Sequence, residues 1–123
     1  MEKVTLSFWG RKNELEIIFD CYEGDEVTEE QRQALAQFLP AAEKLIDSAR
    51  EEVEEYIEND DMMEEEQVDN IFDYVTPQSI FVKRMKKRII GLMCSYTLDE
   101  EDGFAICFED ENLKRVGSQN IIL

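Results

Sequence analysis

The stretch that decides the fold is TEEQRQALAQFLPAAEKLIDSAREEVEEYIEN, Thr28 to Asn59. Its apolar residues Leu35, Leu39, Ala42, Ile46, Ala49, Val53 and Tyr56 recur in alternating steps of four and three, which lines them along one side of an α-helix. Such a stripe needs a surface to cover. The opposite side carries Glu29, Glu30, Glu43, Asp47, Glu51, Glu52, Glu54, Glu55 and Glu58 against Arg32, Lys44 and Arg50. The spacing therefore predicts a core helix with an anionic back. Thr28 followed three residues on by Gln31 reads as a capping box, and Glu29 and Glu30 suit the positive end of the helix dipole. Pro40 removes one helical hydrogen bond and crowds the preceding turn, so a kinked helix or two abutting helices are expected.

Outward from this helix, the chain reads as strands. Val4, Leu6 and Phe8 alternate with polar residues, as do Leu15, Ile17, Phe19 and Cys21, and Gly10 to Asn13 separates the two runs. That is an amino-terminal antiparallel hairpin, with Trp9 expected as a rim aromatic beside the turn. After Tyr56 comes an acidic run holding Asp60, Asp61, Glu64 and Glu65 and interrupted by Met62 and Met63, read as a solvated loop. Val68, Ile71, Phe72 and Val75 suggest a short helix from about Glu65 to Tyr74, and Thr76 to Ser79 a turn. Strands are then expected over Ile80 to Lys83, Arg88 to Leu98, Gly103 to Glu109 and Leu113 to Gly117. The predicted fold is a single α+β domain over residues 1–123: a β-hairpin, a long acidic helix plus a short one, then about four antiparallel strands, with the helices packed on one face of the sheet. The other face is open unless the sheet curls or a partner covers it.

The composition bounds the function. A net charge of −17 opposes binding to nucleic acid or anionic membrane and favours a basic protein partner. From Asp25 to Asp73 acids outnumber bases about six to one, whereas Lys83, Arg84, Lys86, Lys87 and Arg88 form a basic run. That run is read as a polar hairpin end, or as meeting acidic surface in the same molecule or a second copy, so a monomer or a weak homodimer is expected. No window is long and apolar enough for a spanning helix and the start lacks a secretory signal, so a cytoplasmic protein is expected. Cys21, Cys94 and Cys107 lie in strand-like runs without metal-ligand spacing and read as reduced, buried thiols.

Chemistry finds little to work with. The chain has no histidine, no phosphate-binding glycine loop and no nucleophile elbow, so neither an enzyme nor a cofactor is expected. The turn Asp99-Glu100-Glu101-Asp102-Gly103 invites comparison with a calcium loop. Placing Gly103 at the sixth position puts Leu98, which has no ligating oxygen, at the first, and the flanks read as strands rather than helices. A weak divalent-cation site there is the alternative to a purely solvated turn, and Gly103 is expected to supply a positive φ.

The segment MCSYTLDEEDGFAICF, residues 93 to 108, followed by VGSQNI, residues 116 to 121, resembles a family of small bacterial domains of unknown function. Its members carry a strand, a Trp-Asp-Glu-Glu-His-Gly turn, an apolar strand and a closing Val-Gly element. Leu98 stands at the tryptophan position and Asp102 at the histidine, while Asp99, Glu100, Glu101 and Gly103 match. The resemblance implies a fold and no activity. In size, acidity and lack of catalytic groups the chain also resembles immunity proteins, which neutralise toxin domains. That implies a basic, nuclease-like toxin as partner, met by Glu51, Glu52, Glu54, Glu55, Asp60, Asp61, Glu64 and Glu65, and secondly by Asp99, Glu100, Glu101 and Asp102. A DNA mimic, whose spaced carboxylates imitate phosphates, is a further alternative.

Overall fold

In the computed structural model, which describes residues 2–21, 24, 26–64, 67–85 and 87–122, a hairpin of β1 (Lys3–Phe8) and β2 (Arg11–Phe19) leads into α1 (Glu29–Ser48) and α2 (Arg50–Glu58). A 3-10 turn at Ile71–Asp73 precedes β3 (Val75–Val82), β4 (Ile89–Tyr96), β5 (Phe104–Glu109) and β6 (Asn112–Gly117), and a second at Gln119–Ile121 follows them. The six strands form one sheet in sequence order. Neighbours pair antiparallel except β2 and β3, which run parallel from Glu16↔Ser79 to Phe19↔Val82. A parallel join needs a long crossover, and the two helices supply it.

The helix begins as its sequence demands. Thr28 Oγ1 accepts the Gln31 N–H at 3.2 Å and Gln31 Oε1 accepts the Thr28 N–H at 3.0 Å, a complete capping box. Pro40 neither splits nor ends α1, because it lies on the exposed side, where water can solvate the carbonyl its missing N–H leaves free. The break falls instead at Ala49. There Ile46 O accepts the Ala49 N–H at 3.1 Å and the Trp9 indole N–H at 2.9 Å, so a side chain enters the helical ladder and the next turn tightens.

Trp9 is thus no rim aromatic; it is only 4 % exposed. The hairpin turn is also shorter than expected, consisting of Trp9 and Gly10 with φ of 54° and 79°, so Arg11 to Asn13 belong to β2. Two consecutive left-handed residues match the right-handed twist of the strands they join. Asp110 and Glu111, with φ of 50° and 62°, turn β5 into β6 in the same way.

Two further segments differ from expectation. Thr76 to Ser79 is strand rather than turn: β2 pairs with β3 only from Ser79 onward, and the β3–β4 register shifts between Pro77 and Ser79, so the proline meets no unbroken ladder. The helix expected from Glu65 to Tyr74 is reduced to the 3-10 turn, opened by Asn70 Oδ1 accepting the Phe72 N–H at 3.0 Å; Glu65 itself lies outside the described residues.

The main core joins Ala34, Phe38, Ala42, Ile46, Ala49, Val53 and Ile57 of the helical segment to Leu6, Phe8, Leu15, Ile80, Val82, Leu92, Tyr96, Phe104 and Ile106 of the strands. Intervening strand residues Met93, Ala105 and Cys107 form a second cluster with Ile122, and Phe81, Ile89 and Ile121 pack against it. β4 and β5 are apolar on both alternations for this reason. The carboxyl-terminal turn covers that second surface, and a Cβ added at Gly91 would collide with the Ile122 side chain.

Both sheet edges are protected. On β1 the outward N–H of Ser7 donates to Glu43 Oε2 at 2.5 Å and the N–H of Trp9 to Asp47 Oδ1 at 2.5 Å. Carboxylates one helical turn apart match amides two strand residues apart, since both spacings are about 6–7 Å. At the other edge the register shifts at Lys114, and a bulge with a lysine discourages strand addition. The double variant Glu43→Ala/Asp47→Ala is expected to unfold about 1–2 kcal/mol more easily and to self-associate through β1. Denaturant titration and sedimentation check this, and a monomer of unchanged stability would refute the capping role.

Candidate functional site

At its carboxyl end α2 brings Tyr56 against Phe104 and Tyr96, with ring centroids 5.2 and 6.2 Å away. Tyr96 is buried except at its tip, where its hydroxyl donates to Asp60 Oδ2 at 2.8 Å. The other oxygen of Asp60 accepts the Met62 N–H at 2.8 Å, which folds the loop after α2 over the tyrosines. From the opposite side comes the β4–β5 turn. Here Asp99 Oδ1 accepts the Asp102 N–H at 3.2 Å, and Gly103 takes the expected positive φ, 63°. A Cβ at Gly103 would stand 2.6 Å from Gln119 Nε2, whose hydrogen bond to Cys94 O ties the carboxyl-terminal turn to the sheet.

Between helix, loop and turn lies a cleft of about 560 Å³ lined by Tyr56, Asn59, Asp60, Asp61, Met62, Leu98 and Asp99. Adjoining it are hollows of about 300 Å³, sharing Met62 and Leu98 and adding Glu64 and Tyr74, and about 280 Å³, sharing Tyr56 and Asn59 and adding Glu52, Glu55 and Val116. Burial, then the nearby Asp60 and Asp99 carboxylates, raise the Tyr56 phenol above its ordinary range. Tyr96 is pushed up further, by burial first and then by its bond to Asp60. Both phenols are neutral donors at physiological pH.

The structure therefore sorts the acidic residues that the sequence singles out. Glu52, Glu55, Asp60, Asp61, Glu64 and Asp99 line connected hollows, so the two acidic segments meet in space. Glu51, Glu100, Glu101 and Asp102 are exposed but line none of the three, and Glu54 is half-buried and paired with Arg50 at 2.7 Å. Glu65 lies outside the described residues. The apolar lining of Tyr56, Met62, Tyr74 and Leu98 was not legible as a site. Only the interruption of one acidic run by Met62 and Met63, and the position of Leu98 at the head of another, hinted at it.

Cations are spent elsewhere. Arg88 pairs with Glu111 at 2.8 Å and Asp110 at 3.8 Å, and Lys87 and Lys114 both reach Glu109, at 3.6 and 2.8 Å. The hydrogen bond from Lys114 holds the Glu109 carboxyl below its usual range. Lys83 Nζ donates to Ile122 O at 2.8 Å. Of the readings open for the basic run, these contacts favour acidic surface within the same molecule. Among the described residues, none of the six carboxylates lining the hollows takes part in an ion pair.

Among the described residues, no three side chains of His, Cys, Asp or Glu are grouped to hold a metal ion, so the cation reading of the Asp99 turn has no geometric support. Cys94 and Cys107 are buried, and burial raises both thiols, whereas Cys21 is half-buried. No helix among the described residues is long and apolar enough to cross a membrane.

Fold and site together define an α+β domain with an acidic, aromatic-floored cleft. The whole chain, residues 1–123, matches the model of the domain of unknown function DUF6985, and the protein belongs to that family. No curated protein and no solved structure matches it.

Proposed function

We propose that this chain is a non-enzymatic binding protein whose acidic face engages a basic protein partner; in its most specific form it is a cytoplasmic, immunity-type inhibitor of a basic, nuclease-like toxin domain. The reading rests on one observation: among the described residues most ion pairs gather at the β5–β6 turn, and the carboxylates that line the hollows, Glu52, Glu55, Asp60, Asp61, Glu64 and Asp99, take part in none. A field of one sign over a concave, low-dielectric surface speeds encounter with the opposite charge. It also repels phosphate backbones, so a nucleic-acid site on the partner would be blocked rather than shared.

Capture of partners from the native host at low salt tests the proposal. With the captured protein in hand, the variant Glu52→Lys/Glu55→Lys/Asp61→Lys is expected to slow association about tenfold or more, with the difference shrinking as salt screens it. Unchanged association, or capture of nothing but a diffuse set of basic proteins, would refute it.

A further inference from the structure

The rim charge leaves one feature of the cleft unexplained, namely its apolar and exposed centre. Met62 is 66 % exposed, against 39 % for Ile18 and 43 % for Met85, the other exposed large hydrophobic residues described. It is a shared wall of two adjoining hollows, with Leu98 as the other shared wall and Tyr56 and Tyr74 at either side. The bond from its N–H to Asp60 fixes its position. A solvated loop gains nothing from holding a methionine outward, whereas interfaces place adaptable apolar groups at their centre inside a polar rim.

We infer that Met62 and Leu98 form the apolar anchor point of the partner contact and take a short partner segment in which an apolar side chain is flanked by arginine or lysine. The inference rests on the acidic face being a partner surface and adds what lies at its centre. Charge complementarity chooses the occupant. The rim carboxylates Asp60, Asp61, Glu64 and Asp99 take part in no ion pair among the described residues, so flanking basic groups would pair there while the apolar side chain enters between Met62 and Leu98. A second copy fits poorly, because each copy carries −17 and its Lys87, Arg88 and Lys114 are bound to its own Glu109, Asp110 and Glu111. The division of labour follows: the rim sets the rate of arrival and the anchor the rate of departure.

Two capped peptides of equal charge, Arg-Leu-Arg-Leu-Arg and Arg-Ser-Arg-Ser-Arg, separate the contributions when titrated into the isotopically labelled full chain at near-physiological salt. The leucine peptide is expected to bind about tenfold more tightly, the worth of one well-buried apolar side chain, and to shift the Met62 methyl and Leu98 resonances. Met62→Ser, at an exposed position that leaves the fold intact, is expected to abolish that advantage while the serine peptide binds as before. Equal affinities in the parent chain, or an advantage that survives Met62→Ser, overturn the anchor and leave the acidic-face reading standing. Failure of both peptides to bind counts against the acidic face itself and removes the anchor with it.

Discussion

Replacing Trp9 by alanine is expected to lower the unfolding free energy by about 3–5 kcal/mol, the usual cost of deleting a large buried aromatic side chain. Its ring is packed edge-on to Phe8 at 5.0 Å and tilted against Phe72 at 5.9 Å, and Phe72 in turn carries the Arg11 guanidinium at 4.0 Å. The indole N–H also satisfies Ile46 O at the junction of α1 and α2. Deletion would open a cavity beneath the hairpin turn and loosen the 3-10 turn before β3. Trp9→Phe separates these effects: it keeps most of the ring and loses the hydrogen bond, so about 1–2 kcal/mol is expected. Because Trp9 is the single tryptophan, unfolding must be followed by circular dichroism rather than by its fluorescence. An alanine variant within about 1 kcal/mol of the parent would show that the pocket collapses at little cost.

Trp9 also marks where sequence reading stops. Its neighbours Gly10, Arg11 and Lys12 are polar or turn-forming, so local pattern places it in solvent. What buries it is a helical turn 37 residues away. The helix itself was legible because a stripe, a capping box and an acidic first turn agree over one continuous segment. Alternation located β1 and β2, and continuous apolar runs located β4 and β5. Strand direction was not legible: alternation assigns residues to faces, and the parallel pairing of β2 with β3 depends on where the crossover returns. Pro77 misled for a related reason. Thr-Pro-Gln-Ser is turn chemistry, yet a strand tolerates it where its neighbour has not begun to pair.

The candidate site divides along the same line. Acidity is a property of composition, so the segments holding Asp60, Asp61 and Asp99 could be found from the residues alone. Which carboxylates stay unpaired depends on register. Ile89 lies opposite Glu109, which brings the end of the basic run beside the β5–β6 turn, where Lys87 and Arg88 pair with acids. A strongly acidic surface is thus left near Tyr56, while Lys87 and Arg88 of the basic run, conspicuous in sequence, are paired with acids of their own molecule. The apolar lining is the least legible part, because Tyr56, Met62 and Leu98 arrive from a helix, a loop and a turn.

Gln31→Ala is expected to cost about 3 kcal/mol, more than an ordinary surface substitution and comparable to a core deletion, because the side chain serves three elements at once. Gln31 is fully buried. Its Nε2 donates to Asp20 O at 2.8 Å and to Val82 O at 3.2 Å, at the ends of the parallel strands β2 and β3, and its Oε1 accepts the Thr28 N–H. Alanine would leave the partly buried Asp20 O and Thr28 N–H without these bonds, whereas Val82 O keeps the Asp20 N–H at 2.9 Å. Gln31→Glu isolates the donor. A carboxylate can still accept from Thr28 but presents negative charge to two carbonyl oxygens, so at neutral pH it is expected to be at least as harmful as alanine. Burial would raise the folded-state pKa of this carboxyl above its unfolded value of about 4.3. The unfolded chain then releases its proton first as pH rises, so the deficit relative to the parent grows through and above that value and narrows on acidification. Denaturant titrations of parent and variant at matched pH measure that difference directly. A deficit independent of pH would mean that the side chain at position 31 leaves the core when charged, and that α1 is held to the strand ends by its apolar stripe alone.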